Sequence, residues 1–202
     1  MIKNIVFDLG NVLVTFDPKS FLHDILNNKE LEDKVYQFYF QGNLWNLYDM
    51  DTLTHEDMIQ KGIEAFPDHQ EEIEKVMNDW VLYVTDIKEN TVLIPLLKQK
   101  GYSVYILSNL PEYNYKYLLN HAPFMKEADG ALYSFEVRKG KPDLEFFQLF
   151  LNRYSLNSQE CLFIDDKRDN VAAACSLEFH AIRLGNPYWL EDEISTILGI
   201  EK

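Results

Sequence analysis

Cysteine and basic residues are scarce in this chain. The 202 residues include 2 cysteines, Cys161 and Cys175, whose spacing is not that of a metal site. We therefore expect a protein without disulfides from a reducing compartment, and the cytoplasm is the predicted location. The 19 lysines and arginines are outnumbered by 33 acidic residues, which gives a net charge of −14. This excess argues against a partner such as nucleic acid or a membrane surface, because proteins that bind these have basic faces.

Long hydrophobic runs are also missing. No stretch approaches the roughly 20 apolar residues of a membrane-spanning helix. The first residues lack the apolar run and small-residue cleavage site of a signal peptide, so we expect them to form the first strand. The chain is 47% hydrophobic and 14% aromatic. Its length exceeds the common size of a single domain, and the sequence therefore predicts one packed core domain with an insertion.

The first functional signal is a carboxylate at the end of an apolar run. The run that begins at Ile5 ends on Asp8 and then turns through Gly10. A hydrophobic run bounded by glycine is typical of a buried strand in a parallel sheet. Ligands of open α/β sheets bind at the carboxyl ends of such strands. Asp8 is therefore predicted to hold a metal or to attack an electrophile.

Three later segments strengthen this interpretation. Residues 104–109 form a second β-rich run that ends in a hydroxyl and an amide, and residues 161–166 form a third that ends in paired carboxylates. Residues 139–143 form a basic loop ahead of a helix that Pro142 is predicted to start. Carboxylate oxygens suit magnesium, whereas lysine and serine donors suit phosphate oxygens. The four segments together indicate a divalent-cation site that faces a phosphate site.

In their order and spacing, these segments resemble the four motifs of the haloacid-dehalogenase-like (HAD) hydrolase superfamily. The resemblance spans nearly the whole chain. Residues 8–12 and 165–170 look closest to a bacterial branch that includes an α-D-glucose-1-phosphate phosphatase. The resemblance implies an Mg²⁺-dependent phosphatase that hydrolyses a small phosphorylated metabolite through an aspartyl-phosphate intermediate. A sugar phosphate such as glucose-1-phosphate is the candidate substrate.

The resemblance also implies catalytic and metal-binding roles for particular residues. Asp8 would be the nucleophile and a magnesium ligand, together with the backbone carbonyl of Gly10 and the carboxylate of Asp166. Asp165 would support the ion from outside the ligand set or through a water molecule. Lys141 would neutralise the phosphate and Asp8 together, and the Lys-Pro pattern selects it over Lys139.

Polar contacts to the phosphate complete the predicted site. Ser108 would donate its hydroxyl to a phosphate oxygen, and Asn109 would bring its side-chain amide close by. Asn11 would contribute a backbone N–H to the phosphate, while its side chain steers the loop. Asn170 would bond to Asp166 or Asp8 as support. The aromatic Trp45 and Tyr48 belong to a hydrophobic cluster more typical of a helical core than of a substrate platform.

Helical periodicity divides the chain. No convincing strand is predicted between about residues 17 and 85, whereas helices and strands alternate after residue 86. The sequence thus predicts an α/β fold, with a doubly wound parallel sheet formed by residues 1–16 and 86–202. Residues 17–85 would form an inserted helical domain, which resembles the helical cap of the superfamily.

One position departs from the family pattern. Phosphatases of the superfamily usually carry, two residues after the nucleophile, a second Asp that acts as general acid and base, and here that residue is Gly10. Glycine cannot move a proton, and general acid–base help is typically worth about 10²–10⁴ in rate. We therefore expect a slow phosphatase, or one selective for good leaving groups. Asp17 is a candidate substitute base, although a residue that begins the linker before Pro18 is the preferred interpretation.

Three alternatives stay open. A haloacid dehalogenase would use the same Asp8 to attack carbon, but it needs no metal, and the retained Asp165-Asp166 pair counts against it. A catalytically silent protein of this fold that binds a ligand or partner is supported by Gly10 alone. Transfer of the phosphoryl group to another sugar is disfavoured, because that reaction needs the missing acid and base.

Overall fold

The fold is built on a parallel sheet of five strands in the order β3-β2-β1-β4-β5. The computed structural model describes residues 1–200. The strands are β1 (Asn4–Phe7), β2 (Ser103–Ser108), β3 (Gly130–Tyr133), β4 (Cys161–Asp165) and β5 (His180–Arg183). From β1 the chain adds strands on one side of the sheet and then crosses to the other side at β4. The carboxyl ends of β1 and β4 therefore flank the switch point, where sheets of this kind bind ligands.

Helices flank the sheet over residues 86–200. They are α6 (Lys88–Thr91), α7 (Leu93–Gln99), α8 (Glu112–His121), α9 (Ser134–Val137), α10 (Leu144–Tyr154), α11 (Arg168–Ser176) and α12 (Leu190–Leu198). The helix predicted to start at Pro142 instead begins at Leu144. Asp143 accounts for the difference, because its side chain accepts a hydrogen bond from the backbone N–H of Glu145 and so caps the helix.

Alternate strand residues pack on opposite faces of the sheet. Phe7 joins one core with Ile94 of α7 and Ile194 of α12, whereas Val6 joins a second core with Phe147 of α10. All five of these side chains are buried. Burial on both faces explains why the strands read as continuous apolar runs in the sequence. The predicted doubly wound α/β fold is confirmed.

The segment between β1 and β2 begins with five helices. They are α1 (Pro18–Leu26), α2 (Lys29–Phe40), α3 (Leu44–Asp49), α4 (His55–Ala65) and α5 (Gln70–Asp79). Thr54 and Asp57 form a capping box at the start of α4, in which each side chain bonds to the backbone N–H group of the other residue. Aromatic rings fill the interior, and Trp80, directly after α5, is buried with its ring 5.1 Å from that of Trp45.

A short neck joins the helical segment to the sheet. The backbone N–H of Thr15 donates to the carbonyl of Thr85 at 2.8 Å, and that of Ile87 donates to the carbonyl of Leu13 at 2.9 Å. The outgoing and returning chains are thus bonded side by side. The division into a core domain and a cap at residues 17 and 85 stays a prediction.

None of the helices found in residues 1–200 combines the length and the apolar character that crossing a membrane requires.

The helical segment yields a stability prediction at Gly62. An added Cβ there would overlap the hydroxyl of Tyr39 and lie 2.6 Å from Cγ2 of Ile73. Alanine favours a helix more than glycine does, by about 1 kcal/mol. We nevertheless expect Gly62→Ala to destabilise the protein by about 1–3 kcal/mol, because the crowded interior must shift. Urea denaturation measures the change in the free energy of unfolding.

The matched control is Gly42→Ala. Nothing lies within 4 Å of a Cβ added at Gly42, so this variant should stay within about 0.5 kcal/mol of the wild type. Equal stability of the two variants would contradict the proposed crowding around Gly62.

Candidate active site

Lys141 lies between two carboxylates at the carboxyl edge of the sheet. Its Nζ is 2.8 Å from Oδ1 of Asp8 and 2.7 Å from Oδ2 of Asp165. Asp8 follows β1 directly, and Asp165 is the last residue of β4. All three residues are buried. Since a buried charge is strongly destabilising without a partner, the three groups depend on one another.

Burial and charge set the ionisation of this group. Burial raises the pKa of Asp8 to about 6, with Lys141 opposing the rise and Asp165 adding to it. Burial alone would lower the pKa of Lys141, but the carboxylates of Asp165 and Asp8 outweigh it and raise that pKa. Lys141 is therefore charged at neutral pH. Above pH 6 Asp8 is ionised, as a nucleophile must be.

Asn109 holds the loop that carries Lys141. Its side-chain Nδ2 donates to the carbonyl of Lys141 at 2.9 Å, and its Oδ1 accepts from the N–H of Lys141 at 2.7 Å. The predicted contact of the Asn109 amide with phosphate is therefore replaced by a structural one. The reason is that the loop crosses directly beside the end of β2, where a Cβ on Gly140 would come within 2.7 Å of Asn109 Oδ1. Ser108 lines the pocket, and its hydroxyl donates to the Asn109 carbonyl at 3.3 Å; its contact with a phosphate oxygen stays a prediction.

Hydrogen bonds from two neighbouring residues hold the Asp165 carboxylate in place. Nδ2 of Asn170, on α11, lies 3.0 Å from each of its oxygens, and the backbone N–H of Lys167 donates to Oδ1 at 2.8 Å. Asn170 was expected to bond to Asp166 or Asp8. It bonds to Asp165 instead, because the first turn of α11 brings the amide back beneath the last residue of β4.

Asn11 bridges the loops after β1 and β4. Its Nδ2 donates to Oδ2 of Asp166 at 3.1 Å, and its Oδ1 accepts from the N–H of Phe16. The side chain therefore steers the loop, as predicted. The backbone N–H, however, was expected to face a phosphate and instead donates to the carbonyl of Val14 at 2.7 Å. The tight turn is the cause, since it places Asn11 in the left-handed region with φ 56° and directs this N–H across the turn.

The acidic residues fit a divalent cation. Asp8, Asp165 and Asp166 each present an oxygen within 4.8 Å of the others. Burial raises the pKa of Asp166 as well, although the hydrogen bond from Asn11 and the charges of Lys167 and Lys141 oppose the rise. Oxygen-rich clusters of this kind are what magnesium prefers. Gly10 lines the same pocket, and the ligand role of its carbonyl stays a prediction.

The pocket above these residues is polar at its base and largely apolar above. Its apolar walls are formed by Val14, Phe16, Trp45, Trp80, Val84, Leu110 and Pro111. Trp45 thus lines the pocket while packing in the helical core, whereas Tyr48 is fully buried and hydrogen-bonds to His55.

Asp17 caps α1 by accepting hydrogen bonds from the N–H groups of Lys19 and Ser20, which agrees with the preferred interpretation of that residue.

Three polar residues of the pocket were missed by the sequence analysis. They are Asp49 at the end of α3, Asn114 on α8 and Lys167 after Asp166. The sequence could have indicated Lys167 as a site residue, since it directly follows the paired carboxylates. Asp49 and Asn114 lie on helices whose apolar periodicity shows which face is buried but not which other segment that face meets. Asp8, Asp165 and Asp166 outnumber Lys141 and Lys167 by one charge, and a divalent cation would add positive charge to this group.

Comparison with known proteins identifies the family. The family model of haloacid dehalogenase-like hydrolases matches residues 2–176. The chain belongs to the haloacid dehalogenase-like hydrolase family. The predicted resemblance is thereby confirmed at the level of the family, and the glucose-1-phosphate branch stays a proposal.

Several relatives are similar over almost the whole chain. Sesquiterpene phosphatase astK of Aspergillus oryzae is 24% identical, over 98% of this chain and 97% of that protein. D-ribitol-5-phosphate phosphatase of Bacteroides thetaiotaomicron is 23% identical, over 98% of this chain and 100% of that protein. Drimenol cyclase drtB of Aspergillus calidoustus is 24% identical, but the chain spans 37% of its length.

Solved structures share the fold. One is the HAD family enzyme bt-2542 of Bacteroides thetaiotaomicron in complex with magnesium and inorganic phosphate. It superposes with a TM-score of 0.70 at 22% identity, covering 90% of this chain and 93% of that one.

The buried carboxylate of Asp49 generates a pH prediction. Burial raises its pKa from the ordinary 3.8 to about 7, with Lys167 and Lys141 opposing the rise and Asp8 adding to it. Between about pH 4 and 7 the folded protein keeps a proton that the unfolded chain has released. The contribution of Asp49 to the stability of the wild type should therefore fall as pH rises through this range, by a few kcal/mol at most.

Asp49→Asn removes this contribution. We expect the variant to gain stability relative to the wild type as pH rises from 5 to 8 in metal-free buffer. Guanidinium denaturation at pH 5, 6, 7 and 8 measures the difference. A difference that stays constant across these pH values would contradict the raised pKa.

Proposed function

We propose that this protein is an Mg²⁺-dependent phosphatase that hydrolyses monoesters of small phosphorylated metabolites through an aspartyl-phosphate on Asp8. The observation that carries the proposal is the buried Asp8–Lys141 pair beside Asp166, at the switch point of the sheet. The similarity to two phosphatases along their whole lengths supports it.

The reaction divides into two displacements on phosphorus. An oxygen of Asp8 forms a bond to phosphorus while the ester P–O bond breaks, and the alcohol leaves. Water then attacks the aspartyl-phosphate, the bond to Asp8 breaks and inorganic phosphate is released. Magnesium bound by Asp8, Asp166 and the Gly10 carbonyl would supply positive charge to the phosphoryl oxygens.

Residues of the chain itself hold the phosphoryl group. Lys141 Nζ, already in contact with Asp8, would donate to a phosphate oxygen and keep the two anions together. Ser108 and Lys167 line the same pocket and would add a hydroxyl donor and a second positive charge. This electrostatic stabilisation is the largest contribution expected in phosphoryl transfer.

The rest of the pocket bears on the substrate. Three aromatic rings, Phe16, Trp45 and Trp80, face the polar groups of Asp49 and Asn114. Apolar walls with a few polar groups are usual for metabolite sites, since the walls bind the body of the ligand and the polar groups orient it. A sugar or polyol phosphate such as glucose-1-phosphate fits this mixture, because such molecules carry both hydroxyl groups and C–H faces. We also propose that the protein is cytoplasmic, because its two cysteines are unpaired.

Phosphate release tests the function. The purified protein is incubated with Mg²⁺ or with EDTA and a panel of sugar, polyol, prenyl and aryl phosphates. We expect release that requires Mg²⁺, and a loss of more than roughly 10³-fold in Asp8→Asn, which removes the nucleophile. An acid-quenched reaction should contain phosphate bound covalently to the wild type.

A second arm of the same assay concerns carbon chemistry. Halide release from 2-haloacids without Mg²⁺ would favour the dehalogenase over the phosphatase. If the folded protein releases no phosphate from any substrate, including an activated aryl phosphate, the result would favour a non-catalytic binding role instead.

A further inference from the structure

The proposed phosphatase reaction needs a group that moves protons, and Gly10 cannot be that group. The ester oxygen needs a proton as it leaves, and the attacking water must lose one. Among the pocket-lining residues of the described chain, the carboxylates are Asp8, Asp166 and Asp49. Asp8 is the nucleophile and Asp166 a proposed metal ligand, so Asp49 has no role in the reaction described so far.

Asp49 is placed on the opposite wall from the sheet. It is the last residue of α3, in the helical segment, and it is 7% exposed. Its carboxylate accepts no hydrogen bond from any residue within 1–200, although buried carboxylates are normally paired. A structural role would be expected to satisfy these oxygens. Instead they border the cavity that also contains Asp8 and Lys141.

The backbone around Asp49 is anchored to the core. The hydroxyl of Ser134, just after β3, donates to the carbonyl of Asp49 and accepts from the N–H of Leu110. Two residues later, Oδ1 of Asp51 accepts from the N–H of Glu112 at the start of α8. The end of α3 is therefore held over the loops that follow β2 and β3, and its unpaired side chain is held over the site.

We propose that Asp49 is the general acid and base of this enzyme, in place of the carboxylate that Gly10 lacks. This inference rests on the proposed phosphatase function. In the first step the carboxylic acid of Asp49 gives its proton to the leaving ester oxygen as the P–O bond breaks. In the second step the Asp49 carboxylate takes a proton from the attacking water, which restores the acid while the bond between phosphorus and Asp8 breaks.

The surroundings suit a group that must exist in both forms. Burial raises the pKa of Asp49, the charges of Lys167 and Lys141 oppose the rise, and Asp8 adds to it. The neighbouring Tyr48 is neutral at pH 7, because burial raises its pKa. Near neutral pH both the acid and the carboxylate are populated, which is the condition for efficient acid–base catalysis.

Leaving-group dependence tests the assignment. With Mg²⁺ present, kcat/KM is measured for the wild type and Asp49→Asn on alkyl phosphates and on aryl phosphates of increasingly acidic phenols. We expect Asp49→Asn to lose about 10²–10⁴-fold on alkyl phosphates and far less on a nitrophenyl phosphate, whose leaving group needs no proton. The variant should also accumulate aspartyl-phosphate with the aryl substrate, because the water then lacks its base.

The pH profile gives a second readout. For alkyl phosphates the wild-type kcat/KM should fall as pH rises and Asp49 loses its proton, and this alkaline limb should be absent in Asp49→Asn. The matched control is Asp24→Asn, which makes the same change at an exposed carboxylate on α1 that does not line the pocket. It should keep wild-type kinetics on both substrate classes.

Gly10→Asp provides a rescue. A Cβ at Gly10 would lie 3.9 Å from Cβ of Phe16, its nearest neighbour, so a Cβ is accepted there without a clash. In the Asp49→Asn background, Gly10→Asp should raise kcat/KM for alkyl phosphates at least tenfold. In the wild-type background the same substitution should raise it only slightly. An equal gain in both backgrounds would overturn the assignment.

The outcomes separate the two proposals. A wild type active on phosphates, with Asp49→Asn either unaffected or impaired equally on alkyl and aryl substrates, overturns the role of Asp49 alone. A folded wild type that is silent on every phosphate overturns the phosphatase and the role of Asp49 together.

Discussion

The rest of the site depends on the ion pairs that the buried ammonium of Lys141 forms. It contacts Asp8 after β1 and Asp165 at the end of β4, so one charge ties together the two strand ends at the switch point. Without it, two carboxylates would be buried beside each other unpaired, which costs several kcal/mol. Asn109 and Asn170 support this centre, one holding the Lys141 backbone and the other the Asp165 carboxylate. The Asp8 carboxylate, the proposed nucleophile, is thus held in place by residues of the chain itself.

The same arrangement sets what the site accepts. Lys141 is shared between two carboxylates, so it cannot by itself neutralise an incoming phosphate, and Asp166 adds further negative charge. A phosphate monoester would be repelled until positive charge is added. A divalent cation among Asp8, Asp165 and Asp166 would supply that charge where the three carboxylates converge. The site would therefore need a cation to balance its negative charge, in addition to having oxygen atoms that could bind one.

The sequence predicted the parts of the site that follow directly from strand ends. Asp8, Ser108 and Asp165 close buried apolar runs, and parallel pairing brings such ends to one edge of the sheet. The amides were harder to predict, although Asn11, Asn109 and Asn170 do lie at the site. An amide both donates and accepts, so its partner depends on the course of the neighbouring loop, which apolar patterns do not report.

Asp49 was beyond the reach of sequence patterns for a different reason. Its position in the pocket depends on the hydrogen bond between the Asp49 carbonyl, at the end of α3, and the hydroxyl of Ser134, which in turn accepts from Leu110. These segments are far apart in the chain. If it carries the proton, the acid–base group and the nucleophile lie on opposite walls of the pocket rather than two residues apart. Proton transfer then requires the helical segment to sit over the sheet. In that arrangement the Asp49 side chain is buried, and its raised pKa is a consequence of that burial.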